Sequence, residues 1–490
     1  MKVKYNILIV SLLVALSSCN MLGSIDDIKP ENVLTDENAI TDANSAEMEC
    51  GGIYGVWRNF DFALMRPAML CLTGSLNNNN VIGGKEFLTN ELKDDNEGIK
   101  KYYVVLYNVI NHATSLINNL KDASPTGLSK TRKEEILSEA YFNKAYAELM
   151  LLRSFGEFWD LNSSYGIVLY DEPVRDNITK ARSSVADSYT MILKDLEGAS
   201  NAPDYAGISY HANKLSVQAL KARVLLSMGN FTEAAQVADK VISEGETQGV
   251  MLEENYMDIF AQGFMSPELL FSLYASYPQQ TVQSSVRQQY IQNGWNENNT
   301  ITKIADELVG EENDGDLLTG EGYDSRFASV YVTTLQTNPF TGVTSRSYQM
   351  NKYQFGDNSN PSDTYYMMRL AEIYLIKAEA NTRIGTPAAL KAARKALKAI
   401  TDRAGYEEDY VDGISNSDLL TMIFKHKYIE LSGENYEEWF DMVRYHTWDG
   451  MDITPYVKSD HNLVMPIPRE AMAGNNLLKQ NPTYVSQSAE

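Results

Sequence analysis

Long stretches with helical periodicity, several of them rich in alanine, limit most strongly what this chain can fold into. Apolar residues recur in them every three to four positions, which is the spacing of an amphipathic helix. The periodicity predicts helices over residues 100–120, 130–159, 213–243, 363–384, 387–404 and 417–444. Alanine-rich spacing within three of these segments indicates helices that are paired and closely packed.

One helical pair is especially clear in the sequence. Its small and aromatic residues are Ala222, Gly229, Phe231, Ala234, Ala238 and Val241. Gly229 ends the first helix, and Asn230 leads into the second. This is the spacing of the tetratricopeptide repeat.

Two further units support the repeat. Ala371 to Ala378 with Gly385 repeats the first helix and its terminating glycine, and Thr386-Pro387 opens the partner helix. A looser third unit ends near Trp159. The fold class we expect is therefore mainly α, a tetratricopeptide-like helical-repeat scaffold with inserted loops and short strands.

The insertion lies at about residues 256–366, where Asn, Gly, Thr, Ser and Tyr are abundant and apolar runs are short. This composition predicts short strands and long loops between repeat units, in addition to a loop over residues 75–96. Loops on a rigid scaffold commonly carry binding residues.

The N-terminus has the pattern of an export signal. Lys2 and Lys4 precede an apolar run over residues 7–16, and the small residues Ser17 and Ser18 precede Cys19. A cysteine in that position resembles the lipobox of bacterial lipoproteins, where cleavage leaves the cysteine first and acylated. We therefore expect a signal peptide over residues 1–18, a lipid on Cys19, a flexible tether over residues 19–42 and a single domain over residues 43–490.

Charge restricts the partners. The chain has 42 Lys and Arg against 65 Asp and Glu, a formal net charge of −23. Such a surface disfavours nucleic acid, whose binding depends on cations that meet phosphates, and equally disfavours an anionic membrane surface. After Cys19 no apolar run reaches 18 residues, so the lipid is the membrane attachment we expect.

No catalytic or cofactor signature is present: the sequence has no CxxC, HExxH, GxSxG or phosphate-loop pattern. His426 and Glu430 are four apart on a predicted helix, but without a third ligand we expect a helix-surface histidine rather than a metal site. The acidic run 311–316 is expected to be a solvated loop rather than a calcium site. Cys50 and Cys71 are expected to be two buried thiols rather than a disulfide.

Several sequence motifs identify a family. The segments 369–380, 428–431, 439–444, 465–470 and 478–484 carry the best matches, and Phe155-Gly156, 267–272 and 323–327 fall where the family has comparable pieces. Read in order, the chain resembles the SusD/RagB family of Bacteroidetes outer-membrane nutrient-binding lipoproteins. It departs from the family at Glu438, where arginine is frequent, and at Thr483, where glycine is usual.

The resemblance implies a non-enzymatic lipoprotein exposed on the cell surface, anchored in the outer leaflet of the outer membrane. It would cap a TonB-dependent SusC-like barrel and deliver an oligosaccharide to it for import. A peptide ligand is the alternative within the same fold, and a glycoside hydrolase or a plain interaction scaffold are the alternatives outside it.

Sugar binding needs an aromatic face against the C–H side of a pyranose ring, together with amides or carboxylates that reach its hydroxyls. Aromatic residues within polar loops supply the candidates Tyr277, Tyr290 and Trp295, with the amide of Asn293 beside them. In the family, the loop before the 100–120 helix also lines the ligand cleft, which here indicates Asn77, Asn78, Asn79 and Asn80. Trp57, Trp159 and Trp439 lie on periodic segments and are expected in the core.

Overall fold

Helices dominate the computed structural model, which describes residues 39–176, 178–275, 299–309, 324–350, 352 and 363–485. The helices of the N-terminal half are α1 Ala43–Trp57, α2 Phe60–Leu72, α3 Lys85–Thr89, α4 Glu97–Leu120, α5 Lys130–Phe155, α6 Val185–Gly198, α7 Lys214–Ser227, α8 Phe231–Thr247 and α9 Asp258–Gln262. The helices that follow are α10 Thr300–Val309, α11 Ser325–Val330, α12 Leu370–Ile384, α13 Pro387–Arg403, α14 Tyr410–Gly413, α15 Leu419–Leu431, α16 Glu437–Asp449, α17 Arg469–Gly474 and α18 Pro482–Val485.

The helices stack as successive pairs. In chain order α4 packs on α5, α5 on α6 and α7 on α8, and α8 then packs against α12, which pairs with α13. A large hydrophobic core follows this stack between Ile40 and Tyr484, and a second, smaller cluster lies between α12, α13 and α15. The prediction of a mainly α helical-repeat scaffold is confirmed.

Local chemistry at the helix ends explains the repeat. Gly229 has φ +82°, a left-handed conformation that glycine adopts without strain, and it separates α7 from α8. The Asn230 side chain then accepts a hydrogen bond from Glu233 N and caps α8. Gly385 ends α12 in the same left-handed conformation, and Thr386 caps α13 with Pro387 in its first turn.

Strands form two small antiparallel sheets. β1 (Leu269–Ala275) pairs with β4 (Asp363–Arg369), and β2 (Tyr331–Thr337) forms a hairpin with β3 (Thr344–Met350). The expected insertion thus contains short strands, but its described part also includes the helices α10 and α11.

Three predicted helices were wrong in their bounds. The segment 363–384 begins with strand β4, because Tyr365 to Met368 are all buried, and a short apolar run does not distinguish a buried strand from a buried helix. The segment 417–444 is broken into α15 and α16, since Gly433 and Tyr436 both have positive φ. The 130–159 helix stops at Phe155, so Trp159 lies beyond it and is half-buried, whereas Trp57 and Trp439 are core residues as expected.

A buried carboxylate, Glu430 on α15, connects several of these elements. Its side chain pairs with Arg326 at 3.1 Å, with Arg369 at 3.0 Å and with Arg403. Burial alone would raise the pKa of Glu430, but these guanidinium groups hold it well below its usual range. Glu268 before β1 also binds Arg369 and Arg403, so two acids and two arginines share one buried cluster.

Further buried ion pairs follow the helices. Glu372 on α12 receives two hydrogen bonds from Arg223 on α7, each of 2.6 Å. Glu379 lies two helical turns after Glu372 on α12. It pairs with Arg444 on α16 and with Arg383. Burial opposes ionisation of Glu379, but Arg444 and Arg383 lower its pKa to about 2. The motif acids Glu372 and Glu379 are therefore buried-pair residues.

We expect Glu430→Gln to lower the free energy of unfolding by about 3–5 kcal/mol, because removing one partner leaves buried charge without compensation. The measurement is urea unfolding followed by circular dichroism at pH 7. Glu408→Gln is the matched control, since Glu408 is exposed, and it should change stability by about 0.5 kcal/mol or less. Equal stability of the two variants would contradict the structural role of Glu430.

Candidate ligand-binding site

The loop that follows α2 is fixed at its start by backbone contacts. Gly74 has φ +72°, and a Cβ at this position would lie 2.1 Å from Tyr456 O, so glycine is required. The carbonyl of Gly74 accepts a hydrogen bond from Thr300 N at 3.1 Å. The hydroxyls of Ser75 and Tyr428 are 2.6 Å apart. These contacts hold residues 74–75 in one position.

The four predicted asparagines follow directly. Asn78 is buried, and its side-chain oxygen accepts a hydrogen bond from Asn80 N at 2.9 Å, which is turn chemistry. Asn77, Asn79 and Asn80 are exposed, and their side-chain amides make no hydrogen bond within the described part of the chain. Three of the four are therefore available to a ligand, whereas Asn78 supports the turn.

The other predicted residues, Tyr277, Tyr290, Asn293 and Trp295, lie outside the described residues, as do Cys19 and the acidic run 311–316. Both flanks of the 276–298 segment are described. Tyr274 O, on β1, accepts a hydrogen bond from Arg58 at 3.0 Å. At the other flank, Asn299 donates from its side chain to Ser75 O at 2.9 Å. The described flank at Asn299 therefore lies beside the loop that carries the asparagines.

A buried acid lies in the same neighbourhood. Glu438 on α16 accepts a weak hydrogen bond from Gly433 N at 3.3 Å, but its second carboxyl oxygen has no hydrogen-bond partner. Burial raises the pKa of Glu438 to about 7. Burial, and then the charge of Glu438, raise the pKa of Tyr428, the residue bonded to Ser75. An ionisable group therefore lies close to the support of the loop.

His426 differs from the sequence expectation. It is completely buried rather than on a helix surface: Arg326 donates to its Nδ1 at 2.9 Å, and Tyr410 lies 3.0 Å from its Nε2. Burial, and then Arg326, lower the pKa of His426 to about 3, so the ring is neutral. The expectation was wrong because the periodicity of α15 does not reveal that side chains of α11 and α14 cover His426.

The structure also shows the surroundings of the suspected metal pair and of the two cysteines. Glu430, the second member of the suspected pair, binds three arginines instead. Across the described ranges, no three His, Cys, Asp or Glu side chains are placed to hold a metal ion. Cys50 and Cys71 are free and buried, as expected, and burial raises the pKa of the Cys71 thiol to about 12.

The sequence reasoning missed a concave surface. A cavity of about 480 Å³ lies between α4, residues 168–176 with Ile178, and residues 468–478. Its aromatic lining residues, Tyr103, Tyr107 and Tyr170, include two that lie four apart on α4. Two tyrosines four residues apart on a helix are expected in the core from the sequence alone. Their position at a cavity depends on segments that are distant in the sequence.

We expect Glu438→Gln to change how stability depends on pH. The pKa of about 7 in the fold exceeds the value of about 4.3 for an unfolded glutamate, so the folded state binds more protons between these values. Stability from this group is therefore complete below about pH 4 and is lost as pH rises through about 7. The amide cannot ionise, so the variant should exceed the parent by about 1–3 kcal/mol at pH 8 and match it near pH 4.5.

Urea unfolding at both pH values measures this difference. The exposed Glu408→Gln variant serves again as the control and should follow the parent at each pH. A Glu438→Gln variant with the parent's pH dependence would show that Glu438 is charged in the fold.

Comparison with known proteins finds two family models that match different parts of this chain. Residues 31–226 match the family model described as "Starch-binding associating with outer membrane", and residues 273–484 match the one described as "SusD family". SusD-like protein P2 of Formosa agariphila is 23% identical over 98% of this chain and 100% of its own length.

Solved structures share the fold. A SusD superfamily protein from Bacteroides vulgatus has a TM-score of 0.71 at 19% identity, covering 90% of this chain and 99% of its own. A structure named as a putative sugar binding protein, also from Bacteroides vulgatus, has a TM-score of 0.70 at 22% identity, covering 91% and 99%. At these identities the likeness establishes the fold alone.

Proposed function

Because the chain belongs to the SusD/RagB family, we propose that it binds glycans outside the cytoplasm at the outer membrane and delivers them to a partner barrel. One matching family model is named for starch binding and outer-membrane association, and one structural relative is named as a sugar binding protein. The ligand we infer is an oligosaccharide, and the role is binding without catalysis.

The site that we propose combines the exposed asparagines 77, 79 and 80 with the segment that carries Tyr277, Tyr290, Asn293 and Trp295. One observation carries this assignment: Asn299 binds Ser75 O at 2.9 Å, which joins the end of the aromatic segment to the asparagine loop. The bond from Thr300 N to Gly74 O supports the same junction. Amides beside aromatic rings provide the two kinds of contact that a sugar needs.

Membrane attachment in the proposal depends on the N-terminus. Residues 1–18 act as the signal, and Cys19 carries the lipid. The tether expected over residues 19–42 ends before Ile40, because Ile40 lies in the hydrophobic core and Asp42 pairs with Thr126. One acyl chain holds a protein only marginally, whereas two or more anchor it stably. No helix in the described part of the chain is long and apolar enough to span a bilayer. The partner is a TonB-dependent SusC-like barrel, which a tethered protein could cap and release.

We expect Trp295→Ala to weaken oligosaccharide binding by about tenfold or more, since a lost stacking contact costs about 1–3 kcal/mol. Calorimetric titration with a panel of oligosaccharides measures it. The protein from residue 20 onward is suitable, because it contains every described element. Phe340→Ala is the matched control: this aromatic side chain is 96% exposed on the β2–β3 turn, and its removal should leave the affinity unchanged.

The same titrations separate the alternatives. Saturable binding of peptides with no binding of glycans would favour a peptide receptor of this fold. Release of shorter sugars from a bound glycan would indicate a glycoside hydrolase. If neither glycans nor peptides bind, the remaining alternative is a plain interaction scaffold.

Cys19→Ala should abolish surface attachment and glycan uptake, because the residue that accepts the lipid is removed. Surface labelling of intact cells and growth on the glycan measure the two effects. Glycan affinity of the purified protein should be unchanged, and a reduced affinity would contradict the role of Cys19 as an anchor alone.

A further inference from the structure

The cavity beside α4 has walls that side chains hold in place. Asn111 donates to Val174 O at 3.2 Å and accepts from Val174 N at 2.6 Å. Tyr107 in the same way donates to Val168 O at 3.3 Å and accepts from Val168 N at 3.2 Å. Two residues of α4 therefore fix the opposing segment at Val168 and at Val174. The cavity is preformed, as is usual for small-molecule sites of 300–1,000 Å³.

The third wall is held by a similar clamp. Asn475 accepts from Lys180 N at 3.1 Å and donates to Lys180 O at 2.7 Å. This clamp joins the C-terminal wall, residues 468–478, to the chain just after Ile178. The polar groups of Asn111, Asn475 and Tyr107 are thus occupied by hydrogen bonds within the fold. They have little remaining capacity to bind a ligand.

Other polar groups at the cavity remain available. Asn108, Asp176 and the hydroxyl of Tyr170 make no hydrogen bond or ion pair within the described ranges. Beside them, the apolar side chains of Val104 and Ile178 are 49% and 44% exposed. An amide, a carboxylate and a phenol therefore surround an apolar, ring-lined space, which suits a ligand with C–H faces and several hydroxyls.

The charges at the cavity restrict the ligand further. Lys100 is the cation among the described lining residues, and it is already paired with Glu97 at 3.1 Å and with Glu470 at 3.3 Å. Asp176 and Glu470 contribute two carboxylates to the lining. Lys180 lies outside the lining, with its Nζ 5.5 Å from the Tyr170 ring centroid, and it donates to Leu169 O. A ligand with its own carboxylate or phosphate would therefore meet two lining carboxylates, while the lining cation is already paired.

We propose that this cavity is a second saccharide-binding site, for a neutral sugar of one or two rings. The Tyr170 ring packs against the C–H face of the sugar, while Asp176 and Asn108 bind its hydroxyls. The site is separate from the asparagine loop and does not require that the loop binds a glycan.

The test is titration of the protein from residue 20 onward with maltose, lactose and mannobiose, and with glucuronic acid as the charged probe. Methyl spectra of ¹³C-labelled isoleucine locate the binding, because Ile178 and Ile110 both line the cavity. We expect at least one neutral disaccharide to shift the Ile178 methyl signal saturably and glucuronic acid not to shift it. Absence of a shift with all three disaccharides would overturn the proposal, as would an equal shift with glucuronic acid.

Variants assign the polar contacts. Asp176→Asn should weaken this binding by about tenfold or more, since hydrogen bonds to a charged group are worth about 1.5–3 kcal/mol. Asp171→Asn, an equally exposed acid on the same segment but outside the cavity, is the matched control and should have no effect. Val104→Trp places a large side chain at an exposed helix position in the cavity and should abolish the Ile178 shift.

Trp295→Ala separates the two sites. It should leave the Ile178 shift unchanged even if it eliminates binding at the loop, so failure of one site is distinguishable from failure of the other. Disaccharide binding that survives both Asp176→Asn and Val104→Trp would show that the cavity is not the site.

Discussion

A single buried carboxylate, that of Glu430, constrains the packing of the C-terminal half of the protein. Arg326, Arg369 and Arg403 approach it from three separate parts of the chain. A buried charge without partners is strongly destabilising, so these parts can pack only in arrangements that bring the guanidinium groups to α15. Because the pKa of Glu430 is depressed in the fold, its contribution to stability is complete above the pKa of an unfolded glutamate, about 4.3. That contribution is lost as pH falls below this value.

The same region supports the candidate loop. Tyr428, two residues before Glu430, bonds to Ser75, and Asn299 and Thr300 bind the loop backbone from the other side. The exposed asparagines are thus presented by a rigid base, which reduces the entropy lost when a ligand binds. Glu438 differs from the arginine-paired acids described above, because its second oxygen lacks a hydrogen-bond partner and burial raises its pKa.

The two ligand sites that we propose, the asparagine loop and the cavity beside α4, differ in how they are built. The asparagine loop displays free amides beside the flank of an aromatic segment. The cavity beside α4 consists of a wall clamped by Asn111 and Tyr107, with its free groups placed between the clamps. Both use the helical stack as a frame and place the variable chemistry on the connecting segments.

The sequence by itself determined the helical-repeat class, the helix ends at Gly229 and Gly385, and the family, because these depend on local periodicity, positive φ and continuous motifs. It indicated the asparagine loop through the family, and three of the four asparagines are exposed there. Only the tertiary structure decided that His426 is buried, that 363–369 is a strand and that a cavity adjoins α4. Periodicity reports which face of a segment is apolar, whereas these features depend on which distant segments cover that face.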